Sequence, residues 1–160
     1  EDCSITDTFR GIYVLGAGRY AFKNIKVTRS VFSGVMFIAS DAVVVATIED
    51  SSFEQNGTFG VDLNGSNTTL TVRNSLATYN PTGFGASGSS KMFVENSVAT
   101  NNTYGITSES GAAVSVSHST ITHNGTGFRN YSSSFRSFGN NSFANNSTNT
   151  IGTILSVSQQ

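Results

Sequence analysis

The stretch Val72-Arg73-Asn74-Ser75 decides the fold, because it returns 22 residues later as Val94-Glu95-Asn96-Ser97 and once more as Val116-Ser117-His118-Ser119. Taking the last residue of each copy as an anchor extends the register along the whole 160-residue chain. The anchors are Cys3, Ile25, Ser51, Ser75, Ser97, Ser119 and Asn141. Their spacings are 22, 26, 24, 22, 22 and 22 residues, so the second and third repeats carry insertions.

Positions that did not set the register repeat with it. The residue two places after each anchor is apolar: Ile5, Val27, Phe53, Ala77, Ala99, Ile121 and Phe143. Asparagine stands five places after the anchor at Asn56, Asn80, Asn102, Asn124 and Asn146. Glycine follows eight or nine places after it, at Gly11, Gly34, Gly60, Gly83, Gly105 and Gly127. A fixed period of this length is typical of a solenoid.

Each repeat is built for short strands. Apolar residues alternate in Leu70-x-Val72 and Met92-x-Val94, and Asn and Gly break the pattern before a helix of useful length can form. Stacked repeats would lie about 4.8 Å apart and share one narrow core. The sequence therefore predicts an all-β, single-stranded right-handed parallel β-helix of about seven coils of about 22 residues. A leucine-rich repeat, the rival of similar period, needs more Leu than this chain has.

We expect residues 1–160 to form a single domain, with 137–160 as the last coil and the C-terminal tail. The Asn56 to Asn146 column predicts a structural ladder of stacked amides, and Asn also tolerates the left-handed backbone of a tight turn. Two places before the anchors, Glu1, Lys23, Glu49, Arg73 and Glu95 alternate in charge, which predicts ion pairs between neighbouring coils. The lone Cys3 cannot form an internal disulfide and is expected to be a small buried residue.

Composition excludes several functions. Charged residues are 12% of the chain and the net charge is −1, so there is no basic surface for a nucleic acid. No stretch approaches the about 20 apolar residues that span a bilayer. Many Ser, Thr and Asn residues suit an extracellular surface.

No group of residues predicts catalysis, a cofactor or a metal. The ten acidic residues are spread along the chain, whereas a polysaccharide lyase or glycosidase needs carboxylates that converge. Asp50 and Glu54 lie on one coil and Asp62 follows on the next face, but the adjacent coils have only Asn and Thr at the equivalent places. His118 and His123 share a coil but lack a third ligand from a neighbouring one. We therefore predict no catalytic residue, no cofactor and no metal site.

One surface remains as a candidate binding site. Thr78, Thr100 and Thr122 line up three places after their anchors, and the residues next to them are Tyr79, Asn101 and His123. A flat strip of hydroxyls and amides with an aromatic ring suits a carbohydrate chain, which is held by hydrogen bonds and ring stacking. An ordinary solvated β face and an ice-binding face are the alternatives, although only Thr120-x-Thr122 offers paired threonines.

Two elements recur along the chain, Val-x-Asn-Ser and Asn-x-x-Gly-apolar, and the chain closes with Ser137-Phe138-Gly139-Asn140-Asn141 and Gly152-Thr153-Ile154. In these elements the sequence resembles secreted bacterial right-handed parallel β-helix repeat proteins of the pectin and pectate lyase-like superfamily. The resemblance implies an exported, extracellular or cell-surface bacterial protein. Because the chain opens in the middle of a repeat, we expect N-terminal coils or a cap to be missing from it. A bare coil edge invites a second copy to stack end to end.

We predict a non-enzymatic extracellular β-helix module with a structural or adhesive role, which contacts a polysaccharide or cell-surface glycan and assembles end to end. The alternative is a carbohydrate-active enzyme, a polysaccharide lyase or glycoside hydrolase, whose active residues are missing or unrecognised. Fold kinship alone does not decide between them. The insertions around residues 39–45 and 64–69 are where a cleft is expected.

Overall fold

The computed structural model describes residues 2–39, 43–132 and 134–158. All regular secondary structure among these residues is β-strand. Twenty-one strands form three parallel sheets of seven strands, and each coil gives one strand to each sheet. None of the described residues forms a helix long and apolar enough to cross a membrane. The predicted parallel β-helix of about seven coils is confirmed.

Strands are numbered in chain order, and every third strand belongs to the same sheet. The first sheet contains β1 (Cys3–Thr6), β4 (Ile25–Thr28), β7 (Ser52–Glu54), β10 (Leu76–Thr78), β13 (Val98–Thr100), β16 (Thr120–Thr122) and β19 (Ser142–Ala144). The second contains β2 (Ile12–Val14), β5 (Val35–Ala39), β8 (Phe59–Gly65), β11 (Thr82–Ser87), β14 (Tyr104–Ser108), β17 (Thr126–Asn130) and β20 (Thr148–Ile151). The third contains β3 (Gly18–Lys23), β6 (Val44–Glu49), β9 (Thr68–Arg73), β12 (Lys91–Glu95), β15 (Ala113–Ser117), β18 (Ser134–Phe138) and β21 (Leu155–Val157).

The repeat register is the pairing register of the sheets. Val94 pairs with Val72 on one side and Val116 on the other, and all three are at most 1% exposed. In the first sheet, Ala99 lies between Ala77 and Ile121, again fully inside. The core is therefore a set of apolar columns that run through the middle of the coils.

The asparagine column joins the coils where the chain turns from the first sheet to the second. The Asn102 side-chain oxygen accepts hydrogen bonds from the backbone nitrogen of Asn80 (2.9 Å) and from its side-chain amide (3.3 Å). The Asn102 amide donates to the carbonyl of Ala77 (3.0 Å) and to the side chain of Asn124 (3.1 Å). The same bonds link Asn56 to Asn80 and Asn124 to Asn146. Each buried turn thus takes its acceptor from the next coil.

The anchor serines, which align the repeats in the sequence, form a second ladder of hydrogen bonds in the structure. The backbone nitrogen of Ser75 donates to the hydroxyl oxygen of Ser97 (3.2 Å), and that of Ser97 donates to Ser119 (3.2 Å). Each hydroxyl in turn donates to the carbonyl two residues before it, as Ser97 does to Glu95 (2.8 Å). At the next coil Asn141 replaces serine and accepts from the Ser119 nitrogen at 2.9 Å. Both inner turns of the coil therefore carry a side-chain acceptor.

The ladder asparagines themselves do not adopt the left-handed backbone, contrary to expectation. That conformation belongs to the residue before them, at Tyr79 (φ 56°), Asn101 (φ 55°) and His123 (φ 53°). The ladder residue turns its side chain into the core, so the exposed neighbour absorbs the positive φ angle. A second left-handed column precedes the anchors, at Asn24, Asp50, Asn74, Asn96 and His118.

Two further expectations need correction. Arg73 lies between Glu49 (3.9 Å) and Glu95 (2.9 Å) as the charge column predicts, but the Lys23 ammonium pairs with Asp50 at 3.5 Å. Glu1 lies outside the described residues. Cys3 is exposed rather than buried, because β1 pairs only with β4 among the described strands and is largely open to solvent.

The glycine column marks the closest approach between coils. A Cβ atom added to Gly105 would lie 2.6 Å from the carbonyl oxygen of Gly127, and one added to Gly83 would lie 2.6 Å from that of Gly105. These distances are shorter than any real Cβ contact, and the obstacle is backbone. Glycine recurs because the stacked turns leave no room for a side chain.

Asn102→Ala is expected to lower the free energy of unfolding by about 1–3 kcal/mol, because it leaves the buried Asn80 nitrogen without an acceptor. Thr103→Ala, one residue away at an exposed position, is the control and should change little. Urea unfolding followed by circular dichroism measures both. Equal midpoints for the two variants would contradict the role of the ladder.

Gly105→Ala is expected to cost about 1–3 kcal/mol, because the new methyl group forces two coils apart. Gly139→Ala is the matched control, since its Cβ would lie 4.0 Å from the nearest described atom, the carbonyl oxygen of Val157. Thermal unfolding of the two variants should separate them clearly. A Gly105→Ala protein as stable as Gly139→Ala would show that the coils are free to spread.

Candidate functional site

A pocket of about 200 Å³ opens on the outer face of the second sheet, and we call it the Asp62 pocket. Its lining residues come from three successive coils: Phe59, Asp62, Asn64, Ala86, Ser87, Thr107 and Glu109. Asp62 on β8, Gly85 on β11 and Thr107 on β14 form one column across the sheet. The pocket is therefore assembled by the stacking of coils and has no counterpart within a single repeat.

Gly85 makes room for an aromatic wall. A Cβ atom at this position would lie 2.5 Å from Cε1 of Phe59, so the Phe59 ring occupies the space of the missing side chain. Thr107 stands at the next position of the column and is 1% exposed. The ring and the threonine border the space in which Asp62 ends.

Asp62 is the most unusual group of this surface. It is only 7% exposed, yet no described residue donates a hydrogen bond to it or forms an ion pair with it. Burial raises the pKa of the Asp62 carboxyl from 3.8 to about 7, and the negative charge of Glu109 adds to the effect. A buried carboxyl with such a pKa in a pocket is a recognised mark of a functional site.

Arg129 holds the second carboxylate in place. Its guanidinium pairs with Glu109, and its carbon atom Cζ lies 3.7 Å from the ring centroid of Tyr104. Tyr131, which is 65% exposed, lies 5.3 Å from the same guanidinium. The guanidinium group of Arg129 is thus already in contact with Glu109 and with the two tyrosine rings. Tyr131 leaves a broad aromatic surface open beside the Asp62 pocket.

The predicted threonine strip forms a straight row in the first sheet, where Thr100 pairs with Thr78 and Thr122. Thr78 is only 7% exposed, and the Thr122 hydroxyl donates to the carbonyl of Ala144 at 2.6 Å. The neighbours Tyr79, Asn101 and His123 lie in the left-handed column and are exposed. His123 also bonds to the hydroxyl of Thr122 and to the amide of Asn145. One of the three hydroxyls in the strip is therefore already engaged.

A larger groove of about 650 Å³ follows the corner between the third and first sheets. Its polar wall is the second left-handed column, in which the Asn96 amide donates to Asn74 (2.7 Å) and the Asn74 amide to Asp50 (3.1 Å). These side chains hydrogen-bond to one another along the axis. The groove is wide, but much of its hydrogen-bonding capacity is already used.

Asp62 and Glu109 were missed as a pair by the sequence analysis, which weighed Asp62 with Asp50 and Glu54. Glu54 lies in the first sheet and pairs with Lys26 at 3.3 Å, and Asp50 lies at a corner beside Lys23. A usable signal was the 64–69 insertion, because Asn64 at its start lines the pocket. The other insertion, 39–45, lies partly outside the described residues.

Among residues 2–39, 43–132 and 134–158, no three His, Cys, Asp or Glu side chains lie close enough together to hold a metal ion. His118 bonds instead to Asn140, one coil further on.

The sequence matches the right-handed β-helix family over residues 2–159, and the chain belongs to that family. No curated protein matches the sequence. Among solved structures, the crystal structure of pectate lyase Pel9A is similar in fold, with a TM-score of 0.51 and 16% sequence identity. The likeness covers 86% of this chain and 46% of the lyase chain, so this chain spans about half the length of that neighbour. The class is thus a right-handed β-helix repeat protein, whose fold is similar to that of the lyase.

The pKa of Asp62 makes stability depend on pH. The folded protein holds this proton up to about pH 7, whereas the unfolded chain releases it near 3.8, so raising the pH favours unfolding. Relative to Asp62→Asn, the free energy of unfolding of the parent protein should fall by about 4 kcal/mol between pH 4 and pH 8. Urea unfolding of both proteins at several pH values measures the difference, in which all other titrating groups cancel. A constant difference would contradict the raised pKa.

Proposed function

We propose that the chain is a non-enzymatic extracellular β-helix module that binds a carbohydrate chain on the outer face of its second sheet. The observation that carries the proposal is the Asp62 pocket, whose lining includes Asp62 without a described partner. The exposed Tyr131 lies next to the pocket, where its backbone nitrogen donates to the carbonyl of Ser108 (2.8 Å), the residue before Glu109. Ligand sites combine apolar and aromatic walls with a few polar groups that fix orientation. A sugar presents both an apolar ring face and hydroxyl groups, so it matches these two kinds of surface.

This proposal moves the binding surface away from the threonine strip of the first sheet. In the strip, the Thr122 hydroxyl already donates to the carbonyl of Ala144, whereas Asp62 has no described partner. The extracellular location and the end-to-end association of copies stay predictions. Low charge and many Ser, Thr and Asn residues support the first.

The enzymatic alternative rests on the same pair of carboxylates. A glycoside hydrolase uses one protonated and one ionised carboxyl, and Asp62 with a pKa of about 7 beside Glu109 has that character. Incubation with soluble polysaccharides and measurement of new reducing ends tests it. Product release that is lost in Asp62→Asn would favour the hydrolase over the binding module.

Two tyrosines of nearly equal exposure allow the two candidate surfaces to be tested separately. Tyr131 is 65% exposed beside the Asp62 pocket, and Tyr79 is 62% exposed in the threonine strip. We expect Tyr131→Ala to weaken binding of a hexasaccharide by about tenfold through the loss of ring stacking, and Tyr79→Ala to leave it unchanged. Isothermal titration calorimetry with hexamers of glucose, N-acetylglucosamine, glucosamine and galacturonate measures both variants.

The reverse result, with loss of affinity only in Tyr79→Ala, would place the ligand on the threonine strip. Absence of binding to every hexamer by the parent protein would contradict the proposed function itself.

A further inference from the structure

The lining of the Asp62 pocket contains acidic side chains and no basic one. Its two charged residues are Asp62 and Glu109, and the remaining polar residues are Asn64, Ser87 and Thr107. The strands that pair with β8 on either side, β5 and β11, contribute no titratable residue. Arg129, whose guanidinium pairs with Glu109, is not among the residues that line the pocket.

The surroundings of Asp62 indicate which chemical group a ligand of this pocket carries. A carboxyl that is 7% exposed and has no described hydrogen-bond donor is costly to ionise, because nothing replaces the water it has lost. Only a ligand that brings positive charge and N–H donors removes this cost. The guanidinium of Arg129 does not do so, since it stacks on Tyr104 and bonds to Glu109.

The rest of the pocket suits an ammonium group in particular. Asn64, Ser87 and Thr107 offer acceptor oxygens around it, and an ammonium group has three hydrogens to donate. Phe59 adds an aromatic ring, on whose face a cation is attracted. A sugar that carries a carboxylate would instead find no basic side chain in the lining.

We infer that the Asp62 pocket binds the ammonium group of an amino sugar, so that the ligand of this face is a glycan with unacetylated amino groups. The inference rests on the proposed function and narrows it from carbohydrate in general to cationic carbohydrate. Asp62 supplies the charge that selects the amine, and Tyr131 supplies the stacking surface for a neighbouring sugar.

Calorimetry of the whole chain at pH 7, where about half of the Asp62 carboxyls are ionised, with the glucosamine hexamer and the N-acetylglucosamine hexamer tests the inference. The parent protein should bind the glucosamine hexamer at least about tenfold more tightly, which corresponds to one charge-assisted contact. Asp62→Asn should abolish the preference while keeping residual affinity. Asp50→Asn is the matched control, an exposed carboxylate in the corner column where Asn74 and Asn96 already stand, and should keep the preference.

The outcomes separate the inference from the proposed function. Equal affinity for the two hexamers, or a preference that survives in Asp62→Asn, overturns the amino-sugar inference and leaves carbohydrate binding standing. No binding of either hexamer, nor of the glucose and galacturonate hexamers, overturns both. Polylysine that binds as tightly as the glucosamine hexamer, and equally to Tyr131→Ala, would show a general cation site and overturn the inference.

Discussion

The fold depends on how the buried turns satisfy their backbone N–H groups. A coil that turns inside a stack leaves amide nitrogens without a strand partner, and an unpaired buried amide is expensive. Here the acceptor is a side-chain oxygen from the next coil, an asparagine at one turn and a serine at the other. Each coil therefore supplies the hydrogen-bond acceptors that the turns of its neighbour need. The composition of the chain, rich in Asn and Ser with few charges, follows from this arrangement.

The same arrangement decides where function resides. Inward and corner positions are fixed by the ladders, the apolar columns and the glycines that keep the coils in contact. The outward positions of the sheets are free to vary, and in the second sheet the outward residues differ from coil to coil. One outward column reads Met36, Asp62, Gly85, Thr107 and Arg129, and this irregularity creates the Asp62 pocket.

Sequence alone gives the register, the stacked coils of short strands and the partners within each inner column, because every coil repeats the same pattern of apolar, Asn and Gly positions. The three-sided shape of the coil comes from the structure. Sequence does not give the offset of the left-handed residues, since Asn56 and its successors suit either role by residue type. It also hides the pairing of Asp62 with Glu109. These residues stand in different columns, two coils apart, and only the stacking of β8, β11 and β14 brings both to one pocket.

The serine ladder has a consequence for how such a chain lengthens over evolutionary time. A duplicated segment of 22 residues brings its own side-chain acceptor and its own backbone nitrogen that needs one, so an extra coil fits between Ser75 and Ser97 without a change in its neighbours. Duplication at that place, however, would separate Asp62 from Glu109 by one more coil. Coils can therefore be gained or lost freely outside the span from β8 to β14, while that span is kept at a constant length if its pocket has a function.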